Sequence, residues 1–208
     1  DLSKYDEIAI DLETKDPELK QMGSGSVTNR GEIVGIAVAV EGWSGYYPIA
    51  HAGGGNMDKA RVLNWFKDVL NTPAIKIFHN AMYDVCWIRS IGLKINGTIV
   101  DTMIAGSLVD ENRYRYDLGS MGRDYVGKGK SEAVLKETAN LWGIDAKSEM
   151  YKLPAMYVGE YAERDAVVTL DLWQRMKQEI QHQDIQSIFD LETELFPCLV
   201  DMRFLGVR

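Results

Sequence analysis

Cysteine is nearly missing from this chain of 208 residues: there are two, Cys86 and Cys198, each alone in an apolar context. A disulfide-stapled fold is excluded, and both thiols are expected to be reduced and buried in an intracellular protein. Long apolar runs are missing as well. The longest, Ile33 to Val40, falls far short of the ~20 residues that span a bilayer, so no membrane partner is expected. The opening Asp-Leu-Ser-Lys does not read as a signal peptide. Positive charge is scarce, with 23 Lys and Arg against 31 Asp and Glu and a net charge of −8. That argues against a protein gripping duplex nucleic acid through a basic surface. It leaves room for an enzyme that meets a polyanion through metal ions. With 46% hydrophobic and 26% charged residues, the chain is neither disordered nor collagen-like.

What is present is a pattern of strands followed by helices. Ile8, Ile10 and Leu12 alternate as a strand does, Ile33–Val40 is a β-branched run, and Trp43–Ile49 follows a Glu41-Gly42 turn. These three predict an antiparallel meander. Thr14–Glu32 is polar and glycine-rich and reads as a long loop, and His51–Asn56 as a glycine-rich connection. Helical spacing runs over Asp58–Leu70 and Ala81–Ile91, with Gly92 placed to end the second. Short strands are expected at Ala74–Phe78 and Thr98–Val100, the latter leading into a helix through Val109. Glycine-broken helical pieces follow. Pro154 precedes a long helix to about Gln183, and a last helix covers about Ile185–Phe204. The succession predicts an α/β fold, a mixed β-sheet flanked by helices, with no repeat and no linker.

Three short motifs carry chemistry-bearing residues. Asp11 and Glu13 are two apart on a strand and leave the same face, a repulsive arrangement unless a cation sits between them. The chain supplies a control: Asp190-Leu-Glu-Thr193 repeats Asp11-Leu-Glu-Thr14 letter for letter, but in a helical period set by Ile185, Ile188, Phe189, Leu195, Phe196 and Leu199. Two residues apart on a helix point nearly opposite ways, so Asp190 and Glu192 are expected to be surface charges. The second motif is Asn80-Ala-Met-Tyr-Asp84, at a strand-to-helix junction where α/β proteins place sites; Asn80 could equally cap the helix. The third is Tyr161-Ala-Glu-Arg-Asp165, one helical turn from tyrosine to aspartate. Tyr161 alone among ten tyrosines has an aspartate four residues on.

Singly these patterns are ordinary; together, in this order and on these elements, they are specific. Asp11-Leu-Glu13, Asn80-x-x-x-Asp84 and Tyr161-x-x-x-Asp165 resemble the DEDDy 3′–5′ proofreading exonuclease domain of family A DNA polymerases, in the DnaQ-like superfamily. Val100-Asp-Thr-Met103 and Tyr116-Asp-Leu-Gly-Ser-Met121 resemble the same family. The 14–32 loop and the 51–56 turn look phage-type. The resemblance implies an RNase H-like fold and a metal-dependent enzyme that removes 3′-terminal nucleotides from single-stranded or frayed DNA as nucleoside 5′-monophosphates. It implies two divalent ions, Mg²⁺ or Mn²⁺, with Asp11, Glu13, Asp84 and Asp165 as ligands and Tyr161 orienting water. Oxygen ligands without clustered His or Cys suit such hard ions. Residues 1–184 would form the exonuclease domain. Residues 185–208, from the resemblance of Glu194–Arg208, would begin the helix leading into a polymerase domain of the same full-length chain. The expected location is the cytoplasm, that of a phage-infected bacterium included.

The DNA strand is expected to meet Thr14, Asn80, Arg113, Arg115 and Lys128. Between Asn112 and Lys130 five basic residues (Arg113, Arg115, Arg123, Lys128, Lys130) outnumber two acidic ones (Asp117, Asp124), with Tyr114, Tyr116 and Tyr125 interleaved. Basic plus aromatic suits a single-strand channel, and equally a solvated helix pair. Leu19 or Met22 is a candidate wedge against the terminal base. An RNase D-type RNA exonuclease would share all three motifs. A catalytically silent DNA-binding domain is the alternative outside enzymes.

Overall fold

The structure is a computed structural model and describes residues 2–129 and 132–206. Five strands, β1 (Glu7–Lys15), β2 (Glu32–Val40), β3 (Trp43–Pro48), β4 (Ile75–Phe78) and β5 (Ile99–Asp101), form one sheet in the order β3-β2-β1-β4-β5. β1, β2 and β3 pair antiparallel as the expected meander, while β4 and β5 run parallel to β1.

The expected 14–32 loop is shorter than its composition suggests. β1 continues to Lys15, which pairs with Glu32. Between them lie two short helices, α1 (Leu19–Met22) and α2 (Gly25–Thr28). Asp16 pins the second by accepting from the Gly25 N–H at 3.1 Å. Strand pairing at both ends and a carboxylate anchor order a segment that carries no hydrophobic period. The remaining helices are α3 (Lys59–Asn71), α4 (Ala81–Ser90), α5 (Thr102–Val109), α6 (Leu118–Val126), α7 (Ala133–Trp142), α8 (Gly159–His182) and α9 (Gln186–Leu205). Two 3-10 turns, Met150–Lys152 and Ala155–Tyr157, lead into α8.

The two faces of the sheet are built differently, and this positions the site. On one face Ile8, Ile10, Leu12, Ile36, Val38 and Val40 pack against α3, α4 and α9 through Val62, Phe66, Leu70, Val85, Trp87, Phe196 and Val200. On the other, Ala9, Ala37 and Ala39 present only methyl groups, and Ala162 and Ala166 of α8 pack there. Strand alternation puts Gly35 on this small-residue face too. Small residues on both partners let α8 lie close across β1, β2 and β3. Asp11 and Glu13 leave β1 on that same face.

Asp190 is exposed on α9 and accepts from Gln186 of its own helix, as the helical period predicts. Cys86 is buried, but Cys198 is exposed, a correction to the expected pair of buried thiols: α9 turns Phe196 and Val200 inward, and Cys198 falls between them on the outward side. Among the described residues no helix is long and apolar enough to cross a membrane. The close helix–sheet contact gives a prediction. Ala37→Leu should cost ~1–3 kcal/mol of stability by overpacking, read as a lower urea midpoint with unchanged helical circular dichroism.

Candidate active site

β1 outruns its neighbour. β4 pairs with it only through Ala9–Ile77, so the backbone of β1 beyond that point needs other partners. Asp84 fills the gap: its Oδ1 accepts from the Leu12 N–H at 2.9 Å. This bond brings the Asp84 carboxyl, from the first turn of α4, beside Asp11. Asp84 is buried, and its pKa is pushed well above the usual carboxylate range by that burial and by the Asp11 charge, with the Leu12 N–H opposing. Asp11 and Glu13 are half-buried at the open end of the strand.

α8 closes the group from above. Asp165 is buried, and Tyr161, one turn earlier, is half-buried. The Tyr161 hydroxyl is hydrogen-bonded to Asp165. Its pKa is pushed far above 10, by burial first and then by the charges of Glu13, Asp165 and Asp11. Glu13, Asp165 and Asp11 thus all lie within electrostatic reach of one phenol. The structure therefore brings all five residues of the three sequence motifs to one place. Among the described residues no group of three or more His, Cys, Asp or Glu side chains stands close enough together to hold a metal ion. Four oxygen donors of one sign, two of them buried, nonetheless fit a hard divalent cation in chemistry and charge.

A cleft of about 810 Å³ opens beside Asp11, lined among others by Asn80, Arg115, Tyr116, Arg123 and Lys147. Of the expected strand contacts, Asn80 and Arg115 lie here. Arg113 and Lys128 do not line it: Arg113 pairs with Asp124 at 2.6 Å and lies over the Tyr125 ring, and Lys128 pairs with Asp171 of α8. Thr14 leaves β1 on the face opposite Glu13, one residue along the pleat, and its hydroxyl is 2.8 Å from that of Tyr83. Lys130 lies outside the described residues. Leu19 and Met22 are both exposed on α1.

Asn80 occupies the first cap position of α4 in a left-handed conformation, φ 64°, but its side chain makes no cap bond. Asp101 does that work from β5, accepting from the Asn80 N–H at 2.9 Å and the Ala81 N–H at 2.8 Å. It also caps α5 through the Met103 N–H at 2.8 Å. Asp101 stands in a motif the sequence marks, but its double cap depends on β5 ending beside β4. His79 Nδ1 is 2.8 Å from the Thr102 hydroxyl. Lys147 and Tyr46 carried no sequence signal: Lys147 comes from a loop far along the chain, and Tyr46 reaches the site only because β3 pairs with β2.

A sequence profile of the 3′–5′ exonuclease family matches residues 1–181. A DNA-directed DNA polymerase of Pseudomonas phage M6 is 35% identical over 211 residues, covering 97% of this chain and 31% of that protein. DNA polymerase I of Pseudomonas aeruginosa is 29% identical over 226 residues, covering 100% of this chain and 23% of that protein. The chain thus spans about a third or less of these relatives. Among solved structures, Brucella melitensis NrnC with bound Mg²⁺ is 16% identical with a TM-score of 0.69, covering 99% of this chain and 89% of that one. Escherichia coli RNase D is 15% identical with a TM-score of 0.64, covering 100% and 47%. At such identities these two speak to the fold, which is RNase H-like as expected. On the family match and the polymerase relatives, the chain belongs to the 3′–5′ exonuclease domain family of family A DNA polymerases.

Proposed function

We propose that this domain removes nucleotides from the 3′ end of single-stranded or frayed DNA, releasing nucleoside 5′-monophosphates, as the proofreading part of a longer polymerase chain. The observation that carries the proposal is the convergence of Glu13, Asp165 and Asp11 on Tyr161, with Asp84 beside Asp11, next to a cleft lined by Arg115, Arg123 and Lys147. DNA rather than RNA is favoured because the relatives that match in sequence are DNA polymerases. The RNase D likeness is one of fold. Parallel 3′-labelled DNA and RNA single strands test the choice; faster release from RNA would overturn it.

The four carboxylates would hold two divalent ions, Mg²⁺ or Mn²⁺, which when bound supply Lewis-acid stabilisation and an activated water for in-line phosphoryl displacement. The residues of the chain do the rest. Tyr161 keeps its proton at any ordinary pH, because burial and three carboxylates oppose its ionisation. Its single O–H hydrogen goes to Asp165, so the phenol oxygen is left to accept from the attacking water and orient it; it is not the base. Asp165 sets the direction of that hydroxyl by accepting from it. Arg115, Arg123 and Lys147 offset phosphate charge along the cleft, and Asn80 stands at its edge. Tyr114 is exposed beside this region, with the Arg115 guanidinium 6.0 Å from its ring centre, which suits base stacking.

Asp84→Asn keeps the acceptor for the Leu12 N–H and removes the buried charge. A carboxyl whose folded pKa is raised stabilises the fold fully below its unfolded pKa, and that contribution is lost as pH rises through the folded value. Without divalent ions, Asp84→Asn should thus be more stable than wild type at neutral pH and lose this advantage near pH 4, while nucleotide release falls at least ~100-fold for want of a metal ligand. Thermal melts across pH and release from a labelled strand check both. Asp190→Ala, in its identical tetrapeptide, should leave the rate unchanged.

Tyr161→Phe should slow release less than Asp165→Ala does, by ~10- to 100-fold, because only an orienting hydrogen bond is lost. Mn²⁺ affinity should fall in Asp165→Ala alone. A wild-type single-turnover rate in Tyr161→Phe would make the tyrosine a packing residue. Arg115→Ala should weaken single-strand binding and reduce its salt slope by about one. Arg113→Ala and Lys128→Ala, whose cations are already paired with Asp124 and Asp171, should change both less.

A further inference from the structure

The ring of Tyr46 occupies a slot between two glycines that belong to different parts of the site. A Cβ placed on Gly35 would meet the Tyr46 hydroxyl at 2.0 Å, so only glycine fits there. Gly35 is the β2 residue paired with Glu13. A Cβ on Gly159, the first residue of α8, would lie 3.5 Å from Tyr46 Cδ1. Tyr46 thus spans from the partner of Glu13 to the helix start two residues before Tyr161. It packs with Tyr161 in the small cluster of Leu135, Met150, Leu153 and Val158.

The hydroxyl end is fixed as well. It lies 2.6 Å from His51 Nε2, and His51 Nδ1 lies 3.0 Å from the Leu153 carbonyl. A carbonyl only accepts, so Nδ1 carries the hydrogen and Nε2 accepts from Tyr46. Leu153 sits between the two 3-10 turns that deliver α8. The same segment is joined to the 51–55 loop twice more, through Ala52 N–H to Tyr151 O at 2.8 Å and Ala155 N–H to Gly54 O at 3.0 Å. No metal ligand takes part in these bonds, yet they tie the sheet that carries Glu13, through β3 and the loop after it, to the segment leading into the helix that carries Tyr161 and Asp165.

We infer that Tyr46 and His51 are positioning residues for the exonuclease site: the Tyr46–His51–Leu153 chain sets the separation between Glu13 on β1 and the Tyr161–Asp165 turn of α8. The inference rests on the functional reading above only for its catalytic readout. The test uses the 208-residue chain with Mn²⁺ as probe. Tyr46→Phe keeps the ring in its slot and deletes the hydrogen bond. It should slow single-turnover release by ~3- to 10-fold, a hydrogen bond's worth. It should also raise the Mn²⁺ half-saturation, read by electron paramagnetic resonance on protein without DNA, by a similar factor. Single-strand affinity should not move, since Tyr46 does not line the cleft. His51→Gln, which retains one donor and one acceptor, should fall between wild type and His51→Ala. The double variant Tyr46→Phe/His51→Ala should be no worse than His51→Ala, because both changes delete one shared bond.

Wild-type Mn²⁺ affinity and rate in Tyr46→Phe, or additive losses in the double variant, would overturn the inference. Should Tyr46→Phe fail to fold, the His51 pair decides: equal Mn²⁺ affinity in His51→Gln, His51→Ala and wild type counts against it, and graded affinity supports it. If wild type itself releases no nucleotide, the functional reading fails while the Mn²⁺ titration still judges the positioning chain.

Discussion

The close approach of α8 to the sheet is the constraint on which the rest depends. Ala9, Gly35, Ala37 and Ala39 give the sheet a face with almost no side-chain height, and Ala162 and Ala166 do the same for the helix. Packing at native density then leaves no room for a bulkier pair. The consequence is chemical: a helix seated this near brings Asp165 and Tyr161 within electrostatic reach of Asp11 and Glu13. The opposite face of the same strands is filled with isoleucine, valine and leucine against three helices, and it anchors the sheet so that the shallow face can be spent on function.

The site is costly to the fold by construction. Burial and a neighbouring carboxylate both disfavour the charged form of Asp84, and Asp101, another buried acid, stands close by. A protein optimised only for stability would not gather these groups. Their arrangement is maintained by backbone amides: Leu12 bonds Asp84, while Asn80, Ala81 and Met103 bond Asp101. Each of these donors is free to serve because a strand ends or a helix begins at that point. The ends of β1, β4 and β5 thus supply both the crowded acids and the amides that hold them.

The cleft sets three cations among acids of its own, Asp11, Asp117 and Glu132, in a chain that is acidic in sum. Arg115, Arg123 and Lys147 line the cleft beside Asp11, whereas Arg113 and Lys128 are engaged in ion pairs away from it. The local surplus of positive charge between Asn112 and Lys130 is therefore divided between cleft and scaffold.

Local pattern alone determined much here. Alternation placed Asp11 and Glu13 on one face and Leu12 on the other, and helical period separated the β1 tetrapeptide from its copy at Asp190, because both rest on backbone geometry within a few residues. The strand-to-helix junction at Asn80 and the single turn from Tyr161 to Asp165 were legible for the same reason. Only the tertiary structure decided what depends on pairing across the chain. Thr14 turns away from Glu13 to meet Tyr83, Asp101 rather than the Asn80 side chain caps α4, and Lys147 joins the cleft from a distant loop. Tyr46 and His51 join the site because β3 pairs with β2 and the 51–55 loop is stitched to the segment before α8. Such contacts are set by which elements become neighbours, and no period in the sequence encodes a partner a hundred residues away.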